Sequence, residues 1–240
     1  MVRYGVAIAI ISVIIFAGLT VSQEGEKGPR IAITEANFDF GFAPEGTYMV
    51  HEYVLKNIGT EPLEIKRVRT TCGCTSAPVK KNLLQPDEAT VVTLWFNSTR
   101  YFHKTSKAAI ISSNDETRPS EKITFVADMD TTKERAIIPV PRKIDLGRGT
   151  DLKKEFKVSI KNISSETVTL KVVDFYGELL DAPVLTVTEL APKAQTDVII
   201  KVKSVLPAEE SIRGSFTIAA LNKNGIETTR ITVPVASGGS

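Results

Sequence analysis

Glu52-Tyr53-Val54-Leu55-Lys56-Asn57-Ile58-Gly59 puts Tyr53, Leu55 and Asn57 on one side of an extended chain and Glu52, Val54 and Lys56 on the other. Lys157-Val158-Ser159-Ile160-Lys161-Asn162-Ile163-Ser164 repeats the pattern 105 positions later. A period of two over β-branched and aromatic residues marks a strand with one buried face. The repeat continues outward from this pair. Phe38-Asp39-Phe40-Gly41 returns as Ile144-Asp145-Leu146-Gly147, and Leu84-Gln85-Pro86 as Leu190-Ala191-Pro192, both at an offset of 106. Thr90, Val92, Leu94 and Phe96 match Thr196, Val198, Ile200 and Val202 at the same offset of 106. Several matches in one register are the mark of an internal repeat.

Turn chemistry separates these runs. Asn57-Ile58-Gly59 and Asn162-Ile163-Ser164 close the quoted strands, and Asn224-Gly225 is a strong hairpin signal. Past the N-terminal segment no stretch keeps a helical period for three turns. The expectation is an all-β protein: two tandem immunoglobulin-like antiparallel β-sandwiches after an N-terminal hydrophobic helix. The first domain is expected over 31–133 and the second over 134–240. The boundary falls within Met129 to Pro141, where the alternation is lost among charges and prolines.

Tyr4 to Ser22 carries no charged side chain and follows Met1-Val2-Arg3. This is the pattern of a signal peptide or a membrane anchor, expected over 1–22, with residues 23–30 as a polar tether. The bulk of the chain is therefore expected to be exported, periplasmic or anchored facing the extracytoplasmic side, with the membrane touched through this segment only. At 24% charged residues and a net charge of +2, no overall field would recruit nucleic acid. No G-x-S-x-G serine or phosphate loop occurs, acidic pairs such as Asp87-Glu88 fall in polar turns, and there are only two histidines. The chain reads as a non-enzyme without a cofactor.

The order Phe38-Asp39-Phe40-Gly41, Val54-Leu55-Lys56-Asn57-Ile58, Cys72-Gly73-Cys74-Thr75, Leu84-Gln85-Pro86 and Ser112-Ser113-Asn114-Asp115 resembles a bacterial family of exported domains. That family is known as domain of unknown function fifteen seventy-three, and it is similar to Hydin-like and major-sperm-protein-like immunoglobulin folds. The resemblance covers about Phe38 to Asp128. It implies the sandwich fold and brings no assigned activity. The second copy has Tyr176-Gly177-Glu178 where the first has its cysteines.

Three states are open to the cysteine pair. The thiols stay free and half-buried, or they form a disulfide, or they hold a soft metal, Cu or Zn. Cysteines two apart lie roughly 6.5–7 Å between Cα atoms in an extended chain, so a bridge requires the tight turn that Gly73 permits. Strand direction places His51, Cys72, Cys74 and His103 toward one end of the first sandwich, which makes them a candidate metal set. His51 also stands where the second copy has Phe156. The Cys72-Gly73-Cys74 loop is expected at the end facing the second domain, shielded between the two. Trp95 points outward by alternation and corresponds to Lys201; it either anchors a partner or packs against a neighbouring loop or the next domain. Asn57 and Asn162 face inward just before turns and are expected to bond the turn backbone. The functional expectation is an envelope scaffold or protein–protein interaction module for an unidentified envelope protein. The alternative is a soft-metal or redox-responsive module built on the cysteine loop.

Overall fold

The structure is a computed structural model and describes residues 27–147, 153–203 and 212–237. The expected signal or anchor over 1–22 and most of the tether lie outside the described residues. The described residues form strands and no helix.

The first half contains β1 (Ile31–Ile33), β2 (Asn37–Phe42), β3 (Tyr48–Asn57), β4 (Leu63–Thr70), β5 (Thr75–Ser76), β6 (Leu83–Leu84), β7 (Ala89–Asn97), β8 (Thr105–Ser113) and β9 (Ser120–Asp128). The second contains β10 (Ile137–Val140), β11 (Ile144–Asp145), β12 (Glu155–Asn162), β13 (Val168–Phe175), β14 (Val184–Leu185), β15 (Glu189–Leu190), β16 (Gln195–Lys201), β17 (Arg213–Leu221) and β18 (Glu227–Ala236). One sheet of the first half runs β1-β3-β7-β5 and its counterpart in the second runs β10-β12-β16-β14. The facing sheets run β6-β4-β8-β9-β2 and β15-β13-β17-β18, with β11 beside β18. The halves therefore correspond strand for strand, as two immunoglobulin-like sandwiches.

Each half has its own apolar cluster. Tyr53, Leu55, Phe40, Phe96 and Phe125 centre the first; Val158, Ile160, Val198, Phe216 and Ile218 centre the second. Burying a side chain of this size contributes roughly 1.5–3 kcal/mol, which is what holds the alternating faces inward. Asn57 and Asn162 are fully buried at equivalent places. Asn57 accepts from the Gly59 amide at 3.0 Å and donates to the carbonyls of Glu61 at 2.8 Å and Leu84 at 3.0 Å. Asn162 accepts from the Ser164 amide at 3.0 Å and donates to the carbonyls of Glu166 at 2.8 Å and Leu190 at 2.9 Å. Each amide thus closes a turn and ties it to a short strand of the facing sheet, β6 or β15, as a buried polar group must.

Two departures from the expected architecture matter. First, not every pairing is antiparallel: β2 runs parallel to β9, and β11 parallel to β18. Second, the halves share a sheet. β2 uses its other edge to meet β18 in parallel, with Phe42 opposite Ile231, so the two larger sheets become one of ten strands. Asp39 prepares that junction. Its Oδ1 accepts from the Gly41 amide at 2.7 Å and holds Gly41 at φ +63°. The repeat does the same with Asp145 and Gly147, at 2.9 Å and φ +84°. In the first half the glycine serves a further purpose, because a Cβ on Gly41 would lie 2.1 Å from the carbonyl oxygen of Arg230.

Candidate functional site

Burial along β17 and β18 locates the contact between halves. Residues 214–220 and 231–235 are buried without alternation, so their outer face is covered too. The covering surface is the start of β3, where Met49, Val50 and His51 are all buried. Hydroxyls carry the contact. Ser215 Oγ accepts from the Val50 amide at 3.1 Å and donates to the Val50 carbonyl at 3.2 Å. Thr232 donates to the Phe40 carbonyl at 2.6 Å, and its hydroxyl lies 2.8 Å from that of Thr217.

His51 sits at the centre of this joint. Its ring stacks on Phe38 with centroids 3.7 Å apart, meets Tyr53 edge-on, and places Nδ1 3.0 Å from Oδ2 of Asp174 on β13. A register shift in β13 between Val172 and Asp174 aims that carboxylate across the joint. Around it the Arg213 guanidinium lies 3.8 Å above the Tyr48 ring, and Trp95 meets Tyr176 edge-on at 5.1 Å. Lys80 reaches Glu178 at 2.9 Å.

A cleft of about 480 Å³ opens beside the joint, lined by Glu52, Val54, Lys80, Val91, Gly177 and Glu178 among others. Burial pushes the Glu52 carboxyl above the usual range, and the Glu178 charge adds to the push. Glu178 is itself held low, first by its bond to Lys80 and then by the Tyr176 hydroxyl.

The four candidate metal ligands are not brought together. His51 is committed to Phe38 and Asp174, and His103 is exposed in the loop between β7 and β8. Among the described residues no group of three or more His, Cys, Asp or Glu is placed to hold a metal. Strand direction brought chain ends to one pole of the sandwich, but it does not fix where side chains reach.

Cys72 and Cys74 are joined as a disulfide with Cα atoms 5.3 Å apart. The loop is held by other bonds as well. Asn97 N–H donates to the Cys74 carbonyl at 2.9 Å and the Thr70 hydroxyl to the Cys72 carbonyl at 3.1 Å. Thr75 Oγ1 lies 3.3 Å from the Cys72 sulfur and 3.6 Å from the Cys74 sulfur. The loop is not pinned between the halves as expected. Gly73 is exposed, with no atom within 4 Å of where its Cβ would stand. The contacts to the second half run instead through the neighbouring Trp95 and Lys80. Trp95 is half-buried against that half.

Asp115 was not singled out by sequence reasoning. It is fully buried beside β1, and accepts from the amides of Ile31 at 2.9 Å, Thr117 at 2.9 Å and Arg118 at 3.1 Å. Burial alone would raise its carboxyl, but these donors and the Thr117 hydroxyl outweigh burial and hold it below the usual range. Its place in Ser112-Ser113-Asn114-Asp115 is the only signal the sequence offers.

Residues 31–129 match the model of a family described as "Protein of unknown function (DUF1573)". The match takes in the first sandwich, with Asn57, the cysteine loop and Asp115. No curated protein matches the chain in sequence. Among solved structures, a protein of unknown function from Porphyromonas gingivalis W83 is 18% identical over 85% of this chain and 98% of its own, with a TM-score of 0.35. The E. coli chaperone DraB is 10% identical over 86% of this chain and 98% of its own, with a TM-score of 0.33. A C. elegans MSP family member, WR4, is 13% identical over 44% of this chain and 100% of its own, with a TM-score of 0.33. Likeness at this level carries nothing about activity or partner.

Proposed function

We propose that the chain is an exported, non-enzymatic interaction module of the cell envelope, whose two sandwiches act as one body against a partner protein. The observation that supports this reading is the cleft at the joint, to which both halves contribute walls. Val54 is 41% exposed there, flanked by Lys80, Glu52 and Glu178. An apolar centre with a charged rim is the usual anatomy of a protein-binding surface. Export rests on the uncharged stretch from Tyr4 to Ser22.

The test is co-purification from the native host with the full chain in mild detergent. A defined protein should be retained by the wild type and by Val187→Asp, a still more exposed valine outside the cleft lining, and lost from Val54→Asp. Equal retention by both variants would refute the cleft as the binding surface. For export, alkaline phosphatase fused after Ala236 should be active; an inactive, cytoplasmic fusion would refute it.

A further inference from the structure

We infer that the Cys72–Cys74 disulfide is a thiol–disulfide exchange site, which accepts electrons from a dithiol on a partner protein and returns them to a disulfide. This does not depend on the interaction reading, and it confines the non-enzymatic description to the cleft.

Three observations carry the inference. The bridge links residues two apart and ties no distant elements, so it does little that a structural staple does. The second sandwich keeps the same strand order with Tyr176-Gly177-Glu178 in that place and no bridge. The fold type therefore does not need it. The loop is also anchored independently, by the bonds from Asn97 and Thr70 to the two cysteine carbonyls. Opening the S–S bond leaves those bonds intact, so the pair stays in place for reclosure.

The geometry also orders the step. Cys74 packs against the first apolar cluster, whereas Cys72 does not, and the Gly73 tip between them is open. An incoming thiolate attacks the Cys72 sulfur, forming a mixed disulfide and breaking the bond to Cys74. Cys74 leaves as a thiolate within reach of the Thr75 hydroxyl, which donates to it. The second thiol of the dithiol, as thiolate, then attacks the donor's own sulfur in the mixed disulfide and releases Cys72. Two electrons and two protons pass from the dithiol to the cysteine pair, and the donor ends as a disulfide.

Dithiothreitol serves as the dithiol probe on the oxidised full chain. Free thiols are then blocked with iodoacetamide and counted by intact mass. Both cysteines should open with the tryptophan and tyrosine fine structure of the near-ultraviolet circular dichroism retained, and reclose on transfer to oxidised dithiothreitol. A bridge that opens only in denaturant, or whose opening abolishes the near-ultraviolet signal, overturns the inference. In single-thiol variants treated with an aromatic disulfide, Cys72 in Cys74→Ala should react about tenfold faster than Cys74 in Cys72→Ala. Equal or reversed rates overturn the order of attack. Thr75→Val should slow opening by about fivefold with an unchanged far-ultraviolet spectrum; an unchanged rate removes Thr75 from the step.

Discussion

Gly41→Ala tests whether the two halves are one body. Two costs arise from different physics. The residue sits at φ +63°, and an L side chain in the left-handed region costs roughly 1–2 kcal/mol. The added Cβ would also lie 2.1 Å from the Arg230 carbonyl oxygen and 2.4 Å from its carbon. These are backbone atoms, so no side chain can swing away, and β2 must separate from β18. Separation removes the Phe42–Ile231 pairing and the Arg230 bond to the Asp39 carbonyl, at 3.0 Å. At about 1 kcal/mol each, the total reaches about 3–4 kcal/mol. Gly46 supplies the control, since it has φ +70° but nothing within 4 Å of the added carbon. Gly46→Ala should therefore cost only the conformational part, roughly 1–2 kcal/mol. Urea unfolding followed by tryptophan fluorescence, which reports the first half and its joint contact through Trp95 and Tyr176, and by far-ultraviolet circular dichroism, which reports both halves, measures the difference. The two probes should coincide in the wild type and in Gly46→Ala, and diverge in Gly41→Ala. If Gly41→Ala is no less stable than Gly46→Ala, with coincident probes, the shared sheet does not hold the halves together.

Further outcomes follow from the buried polar groups and the bridge. Asn57→Ala strands the Gly59 amide and the carbonyls of Glu61 and Leu84 and should destabilise by about 2–3 kcal/mol in urea; a loss below about 0.5 kcal/mol would contradict the turn-closing role. Asp115→Asn should destabilise at pH 7 by about 1–3 kcal/mol, and the gap to wild type should close in acid. The folded carboxyl titrates below its ordinary value, so its contribution is full above roughly pH 4 and is lost as the pH falls through the folded value. A gap that persists unchanged at pH 2–3 would contradict that sign. Replacing both Cys72 and Cys74 by Ala should lower stability by no more than about 1.6 kcal/mol, the loop-entropy value for so short a ring. A loss beyond about 3 kcal/mol would make the bridge structural.

Much of the fold was legible because burial enforces a period of two. Tyr53, Leu55 and Asn57 had to face one core, and their counterparts from Val158 to Asn162 another, so the strands and their repetition could be read directly. Asn57 and Asn162 could be read too, since an inward amide beside a turn has few ways to be satisfied. The same alternation misleads where a second surface covers the outer face. Ser215, Thr217 and Thr232 fall on outward positions that look solvent-facing, yet they form the joint. The bonds of Asp115 to the amides of Thr117 and Arg118 are an ordinary local turn; what escapes is its bond to the Ile31 amide, 84 positions away, because no local pattern records a bond between such distant points. The shared sheet escapes for a similar reason: β2 and β18 meet edge to edge, and strand edges consist of backbone that every sequence supplies.

The joint had nonetheless left a trace in the differences between the copies. His51 replaces the Phe156 type of residue, Trp95 stands opposite Lys201, and the cysteine loop stands opposite Tyr176-Gly177-Glu178. Each departure involves the end where the halves meet. His51 exchanges a core ring for one that stacks on Phe38 and also pairs with Asp174, which phenylalanine could not do. Trp95 gives up a charged outer face for contact with Tyr176, and that tyrosine belongs to the segment replacing the cysteines. Taken as a chemical cluster, the histidines and cysteines suggested a metal. Taken as the places where one repeat must differ from the other, His51 and Trp95 mark the surface that one copy turns toward its neighbour. A repeat unit that contacts another through non-equivalent faces cannot keep both faces alike, so its departures from symmetry fall where it is in contact. The cysteine loop departs from the repeat beside that surface but makes no such contact through Gly73, and it is this unabsorbed difference that exchange chemistry would explain.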